Sequence, residues 1–162
     1  MFVSGCRHRC PGCFNAEAWD FDAGKPFSRE VEDEILRSLE PDYVTGLSVL
    51  GGEPLEPENQ QVLAPFLERM RADMPQKSIW MWTGFTWEQL VCETSRARTE
   101  DLQRILKCLD VLVDGPFVEA QKDITLRFRG SANQRLIDVP ASLASERLIG
   151  WQDIDLFSTH SW

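Results

Sequence analysis

Three short apolar runs in this chain each end in glycine. Residues 47–50 run into Gly51-Gly52, residues 78–82 into Thr83-Gly84, and residues 111–113 into Asp114-Gly115. Between them, apolar residues recur at helical spacing: Val31, Ile35, Leu36 and Leu39, then Val62, Leu63, Phe66, Leu67 and Met70, then Leu102, Ile105 and Leu106. Strands that alternate with amphipathic helices bury their faces by crossing over into a parallel sheet. The pattern therefore predicts an α/β fold, with helices over 29–40, from Pro57 onward, over 86–92 and over 99–108. Pro41 stops the first helix, Pro57 suits a first turn, and Pro65 is expected to kink the second helix. The polar and glycine-rich strand ends then share one edge, which is where ligands bind in parallel α/β folds.

At 162 residues the chain has the size of one domain. Its net charge of −9 opposes binding to nucleic-acid phosphate or to anionic membrane surfaces. A protein or a small molecule is the expected partner. No apolar run approaches the length of a bilayer span, and no charged-then-apolar leader is recognisable, so a cytoplasmic location is expected. The five cysteines agree with it: the number is odd and three are clustered, as in a metal site of a reducing compartment.

The cluster is Cys6, Cys10 and Cys13, spaced C-x-x-x-C-x-x-C, with Pro11-Gly12 as the turn. A loop this short brings three sulfurs to one metal centre. It admits two readings. A structural zinc wants four ligands and would add His8. An iron–sulfur cube held by three cysteines leaves one iron open to a small molecule. Arg7 and Arg9 are expected to favour the thiolates. Cys92 and Cys108 sit on expected helices and read as free thiols.

The spacing resembles the radical S-adenosylmethionine (radical SAM) enzymes. The flanking segments Phe2-Val3-Ser4-Gly5-Cys6 and Cys10-Pro11-Gly12-Cys13-Phe14-Asn15 narrow the match. So do Leu50-Gly51-Gly52-Glu53-Pro54-Leu55, Trp80-Met81-Trp82-Thr83-Gly84-Phe85, Val111-Leu112-Val113-Asp114-Gly115-Pro116-Phe117 and Arg129-Gly130-Ser131-Ala132-Asn133-Gln134. Taken in order, over roughly positions 2–138, they resemble the activating proteins of anaerobic (class III) ribonucleoside-triphosphate reductase. The resemblance implies an open, partial (βα) barrel over 1–138, with 139–162 as a C-terminal extension. It implies a 4Fe–4S cluster on Cys6, Cys10 and Cys13, and S-adenosylmethionine with its amino group held at Gly51, Gly52, Glu53 and Pro54. One electron from a low-potential donor such as flavodoxin would yield a 5′-deoxyadenosyl radical. That radical would install a glycyl radical on the large subunit of the reductase. Relatives of this kind carry a longer segment ahead of the cysteine loop, so the resemblance also implies a chain short of one strand at its start.

Further residues stay open between two roles. Phe14 and Asn15 follow the last cysteine and either cover the cofactor or pack. Thr83 contacts the cofactor or starts a helix. Asp114 faces the ligand edge or is a turn aspartate. Arg127, Arg129 and Arg135 form a basic patch that holds a carboxylate, docks a partner, or lies solvated on an edge strand. Trp151, Leu156, Phe157 and Trp162 are too apolar for a solvated tail. Three alternative functions compete: an activase of another glycyl-radical enzyme such as pyruvate formate-lyase, a radical SAM enzyme acting on a small molecule, and a non-catalytic metal or electron-transfer module.

Overall fold

The structure, a computed structural model, describes residues 1–152. Five strands form one open sheet: β1 (Phe2–Val3), β2 (Gly46–Gly51), β3 (Ser78–Trp82), β4 (Val111–Asp114) and β5 (Arg135–Asp138). They lie in sequence order. β1 to β4 are parallel and β5 is antiparallel to β4. The helices are α1 (Arg29–Leu39), α2 (Pro57–Asp73), α3 (Trp87–Val91), α4 (Glu100–Cys108) and α5 (Val139–Ser145). The expected mostly parallel α/β sheet is present.

Alternation along the strands sorts the two faces. Leu47, Val49, Ile79, Met81, Leu112 and Ile137 point into the main core. There they meet Leu63, Phe66, Leu67 and Met70 of α2 and Leu102, Ile105 and Leu106 of α4. On the other face Trp80 pairs in register with Ser48 and Val111, and Trp82 with Val113. Trp80 packs on Phe128 at 5.0 Å and on Trp151 at 4.9 Å between ring centroids. Trp151 thus returns to the domain, as do Val139 in the core and Leu143 and Leu148 beside it. Leu156, Phe157 and Trp162 lie outside the described residues.

Two local expectations change. α2 runs continuously through Pro65, which lies on its exposed face, where water can serve the carbonyl that loses its partner. Val62 leaves the buried stripe and is 43% exposed. The antiparallel β5 has the largest consequence. A parallel crossover would carry the chain back to the opposite edge of the sheet. Because β5 turns the other way, residues 115–134 stay at the C-terminal edge of β4.

Phe66 has no exposed surface and lies in the core, with its ring edge-on to Phe27, two residues ahead of α1, at 5.3 Å. Phe66→Ala is expected to cost about 3–5 kcal/mol in denaturant unfolding. Val62→Ala, four residues earlier, is expected to stay within about 0.5 kcal/mol.

Candidate metal and cofactor site

A cavity of about 560 Å³ opens at the C-terminal edge of the sheet. Cys6, Cys10 and Cys13 all line it. Their loop is held from three sides. Gly5 N and Cys6 N donate to the carbonyls of Ala18 and Trp19 at 2.8 and 3.0 Å. Glu53 N donates to Gly5 O at 2.8 Å, and Asn59 Nδ2 donates to both Ser4 O and Glu53 O. Arg7 N donates to Glu56 Oε1 at 2.9 Å.

Glu56 is fully buried, and Arg7 and Arg96 both pair with it. Arg7 also makes two hydrogen bonds to Glu58. The Arg7 charge is therefore committed to carboxylates of the Glu56–Glu58 turn, which corrects the expectation that it activates the thiols. Burial instead pushes the Cys6 and Cys10 thiols up, with backbone hydrogen bonds opposing it.

Gly51 and Gly52 line the cavity, and their lack of a side chain has a second reason. Gly51 has φ +123, and a Cβ there would stand 2.4 Å from Val3 O. A Cβ at Gly52 would stand 2.6 Å from Gly5 O and 2.8 Å from Ala18 O. Both contacts are with backbone that cannot swing away. The glycine pair thus lets β1 and the cysteine loop close onto β2.

Glu53 lines the same cavity while being 1% exposed. Its Oε1 accepts from Leu55 N at 2.8 Å and from Thr83 Oγ1 at 2.7 Å, and its Oε2 accepts from Gly84 N at 2.7 Å. His8 Nε2 stands 3.2 Å from Oε2 but is not aligned as a hydrogen bond among the described residues. The His8 ring meets Phe85 edge-on at 4.5 Å. Among the described residues, no three His, Cys, Asp or Glu side chains converge closely enough to hold one metal ion. A zinc shared by three cysteines and His8 would need that convergence. A cube spreads its thiolates over separate irons, and three thiols around one cavity suit it as a donor set.

The other expected residues divide. Thr83 lines the cavity, and Phe14 does so at its mouth, being 85% exposed. Asn15 borders a different groove, beside β1, and Pro54 is buried in the turn outside the cavity. Asp114 is not brought to the cavity. Its Oδ2 accepts from Trp87 N at 2.7 Å, and Arg135 and Glu88 complete an ion-pair chain on that side. The basic patch is divided accordingly: Arg135 serves Asp114, Arg127 lies over the Phe128 ring, and Arg129 lines the cavity. Cys92 is exposed, Cys108 is buried in the core, and neither lines the cavity.

Several lining residues had no assigned role in the sequence: Trp19, Phe117, Ile124, Leu126 and Gln134. Most belong to the link between β4 and β5. The apolar pair Ile124 and Leu126 in an otherwise polar stretch was the available signal.

A family model described as a 4Fe-4S single cluster domain matches residues 1–137. The chain is 44% identical over 137 residues to the anaerobic ribonucleoside-triphosphate reductase-activating protein of Pasteurella multocida, covering 83% of this chain and 82% of that one. The protein of that name from Escherichia coli K12 is 40% identical over 136 residues, with 83% of each chain covered. That of enterobacteria phage T4 is 34% identical over 138 residues, covering 84% of this chain and 80% of that one. This chain belongs to the family of anaerobic ribonucleoside-triphosphate reductase-activating proteins. No solved structure gives a significant match to it. The family model supports an iron–sulfur cluster in the chain.

Two outcomes test this geometry. Gly52→Ala is expected to displace the cysteine loop and lower the iron bound per chain after anaerobic reconstitution, whereas Val62→Ala leaves it unchanged. The second concerns acid. Arg7 holds the Glu58 carboxyl down to about 2, and Arg135 does the same for Glu88, from an ordinary value near 4.5. A depressed carboxyl contributes stability above its unfolded value and loses it as pH falls toward the folded one. Melting temperature is therefore expected to fall between about pH 4.5 and pH 2. Glu58→Gln with Glu88→Gln should flatten that acid limb, modestly because both groups are largely exposed.

Proposed function

We propose that this chain activates anaerobic ribonucleoside-triphosphate reductase by installing a glycyl radical on its large subunit, using a 4Fe–4S cluster and S-adenosylmethionine. The observation that carries the reading is one cavity lined by all three loop cysteines together with Gly51, Gly52, Glu53 and Thr83. Family membership supplies the partner: relatives at 34% to 44% identity bear the activating-protein name.

Cys6, Cys10 and Cys13 would hold the cluster. Backbone carbonyls of Gly51 and Gly52 suit an ammonium group. Glu53 adds to them, since a carboxylate has about four acceptor sites and Leu55, Thr83 and Gly84 take three of them. When bound, the cluster and S-adenosylmethionine supply one-electron cleavage of a sulfur–carbon bond and hydrogen abstraction from a glycine. The protein orients these groups and keeps water from them. Trp19, Trp82, Phe117 and Phe128 provide the apolar wall for that purpose. In this reading the open sheet is a partial (βα) barrel of the radical SAM type, and Thr83 and Phe14 contact the cofactor. Asn15, Pro54 and Asp114 support the site from outside the cavity. The electron donor is a low-potential protein of the flavodoxin kind. All five cysteines are free, in keeping with a cytoplasmic setting. No helix among the described residues is long and apolar enough to cross a membrane.

Anaerobic reconstitution is expected to load about four irons per chain. Alanine at Cys6, Cys10 or Cys13 should abolish loading, and alanine at Cys92 or Cys108 should not. Mixed with the reductase, S-adenosylmethionine and a reductant, the loaded protein should produce a glycyl radical visible by electron paramagnetic resonance. A radical on pyruvate formate-lyase and none on the reductase would transfer the assignment to that enzyme class.

A further inference from the structure

The family model stops at residue 137, and the chain beyond it doubles back on the sheet. α5 ends at Glu146, whose backbone is left-handed with φ 54. Ile149 N then donates to Ser142 Oγ at 2.9 Å, and Asp138 N donates to Ile149 O at 2.9 Å. Gly150 bridges Ile137 in antiparallel fashion, and Trp151 N donates to Leu136 O at 2.9 Å. Residues 149–151 thus form a hook along the edge of β5 that β4 leaves open. Its last bond delivers Trp151 to the aromatic face of the sheet.

Trp151 does not line the cavity; it stands behind residues that do. Its ring meets Trp80 edge-on at 4.9 Å and Phe128 edge-on at 6.0 Å. Trp80 stacks on Trp82 at 5.9 Å, and Trp82 Nε1 donates to Phe128 O at 2.7 Å. Phe128 has φ 64, and a bulky residue persists in that region only when its surroundings over-determine it. Trp82 and Trp151 supply the constraint from one side. Gln134 supplies it from the other. Its Oε1 accepts from Gly130 N at 2.9 Å and Ser131 N at 3.2 Å, and its carbonyl accepts from Arg129 Nη1 at 2.8 Å. The rest of the link has little to hold it: Lys122, Asp123 and Ile124 are exposed, Ile124 by 90%. A segment with few buried contacts opens locally at low cost. Yet this one touches the cysteine loop. Phe117 packs over Gly130, and its backbone hydrogen-bonds the Cys10 thiol.

We propose that Trp151 is a positioning residue for the cluster site. Through Phe128 it holds the β4–β5 link closed over the cysteine loop, and so slows the entry of water and the escape of iron. The C-terminal hook is the part of the chain that places it there. This role rests on the proposed cluster at Cys6, Cys10 and Cys13.

Two measurements on the full chain test it. The variants are Trp151→Ala, Trp151→Phe and, as a control in the main core, Leu36→Ala. Amide hydrogen exchange, read by mass spectrometry, compares the link over 117–134 with β3 and needs no iron. In Trp151→Ala, exchange in the link is expected to rise on the order of tenfold while β3 keeps its wild-type rate, the size of the lost ring contacts. Release of iron from anaerobically loaded protein to excess chelator is expected to accelerate by a similar factor. Trp151→Phe, which keeps a ring, should restore both rates toward wild type. Leu36→Ala should leave the ratio of link to β3 exchange unchanged. Trp151→Leu, which keeps bulk without a ring, takes the place of the Ala variant if that one does not fold. Link exchange that stays at the wild-type rate, or rises only in step with β3, overturns the brace. Faster link exchange with unchanged iron release overturns its role at the cluster. Failure of wild type to load iron overturns the cluster reading instead, and the exchange comparison still decides the brace.

Discussion

Burying the Glu53 carboxylate obliges the structure to supply donors for it, because an ionised group removed from water is stable only when its lone pairs are used. The donors come from separate segments: Leu55 N from its own turn, Thr83 Oγ1 and Gly84 N from the end of β3. The backbone of the same residue takes Gly5 O from the cysteine loop. One residue therefore sets the relative heights of three strand ends. Remove it and the loop cysteines lose their common reference to β2 and β3. Glu56, three residues on, repeats the device by gripping Arg7, the residue after Cys6. Two buried carboxylates in one turn thus determine where the thiols stand.

The core and the site divide the sheet between them. Helices α2 and α4 cover one face and provide the hydrophobic stability. The other face carries Trp80 and Trp82 under Phe128 and Trp151, a cover of rings rather than helices. The cavity lies where that aromatic face meets the C-terminal strand ends. Its roof is the β4–β5 link, which stays at that edge because β5 is antiparallel. The direction of one strand decides that Phe117, Ile124 and Arg129 line the cavity.

Much of the fold is legible along the chain. The strand at 78–82 and the helices near 29–39, 57–73 and 100–108 follow from period and from proline and serine or threonine punctuation, which act within a few residues. Val62 and Pro65 show the limit. Period places Val62 on the buried stripe, but the width of that stripe depends on what packs against α2. Pro65 breaks a helix only where its lost hydrogen bond cannot be replaced, and on the solvent face it can.

The candidate site shows the same division. Cysteine spacing and the glycines after β2 establish by themselves that three thiols and a close-approach turn exist, since both are properties of neighbouring residues. The direction in which a carboxylate at a strand end points is not such a property. Asp114 turns from the cavity because Arg135, 21 residues away on the adjacent strand, and Trp87 N reach it first. Arg7 leaves the thiols because Glu56, 49 residues away, is buried beside it. Arg129 enters the cavity because β5 runs antiparallel and Gln134 fixes its turn. The sequence by itself determined the alternating strands and helices as far as β4, their order and the clustering of three thiols. Tertiary structure decided which charges neutralise one another and which side chains line the cavity, because a buried charge takes the nearest complementary group in space, and only the fold sets that distance.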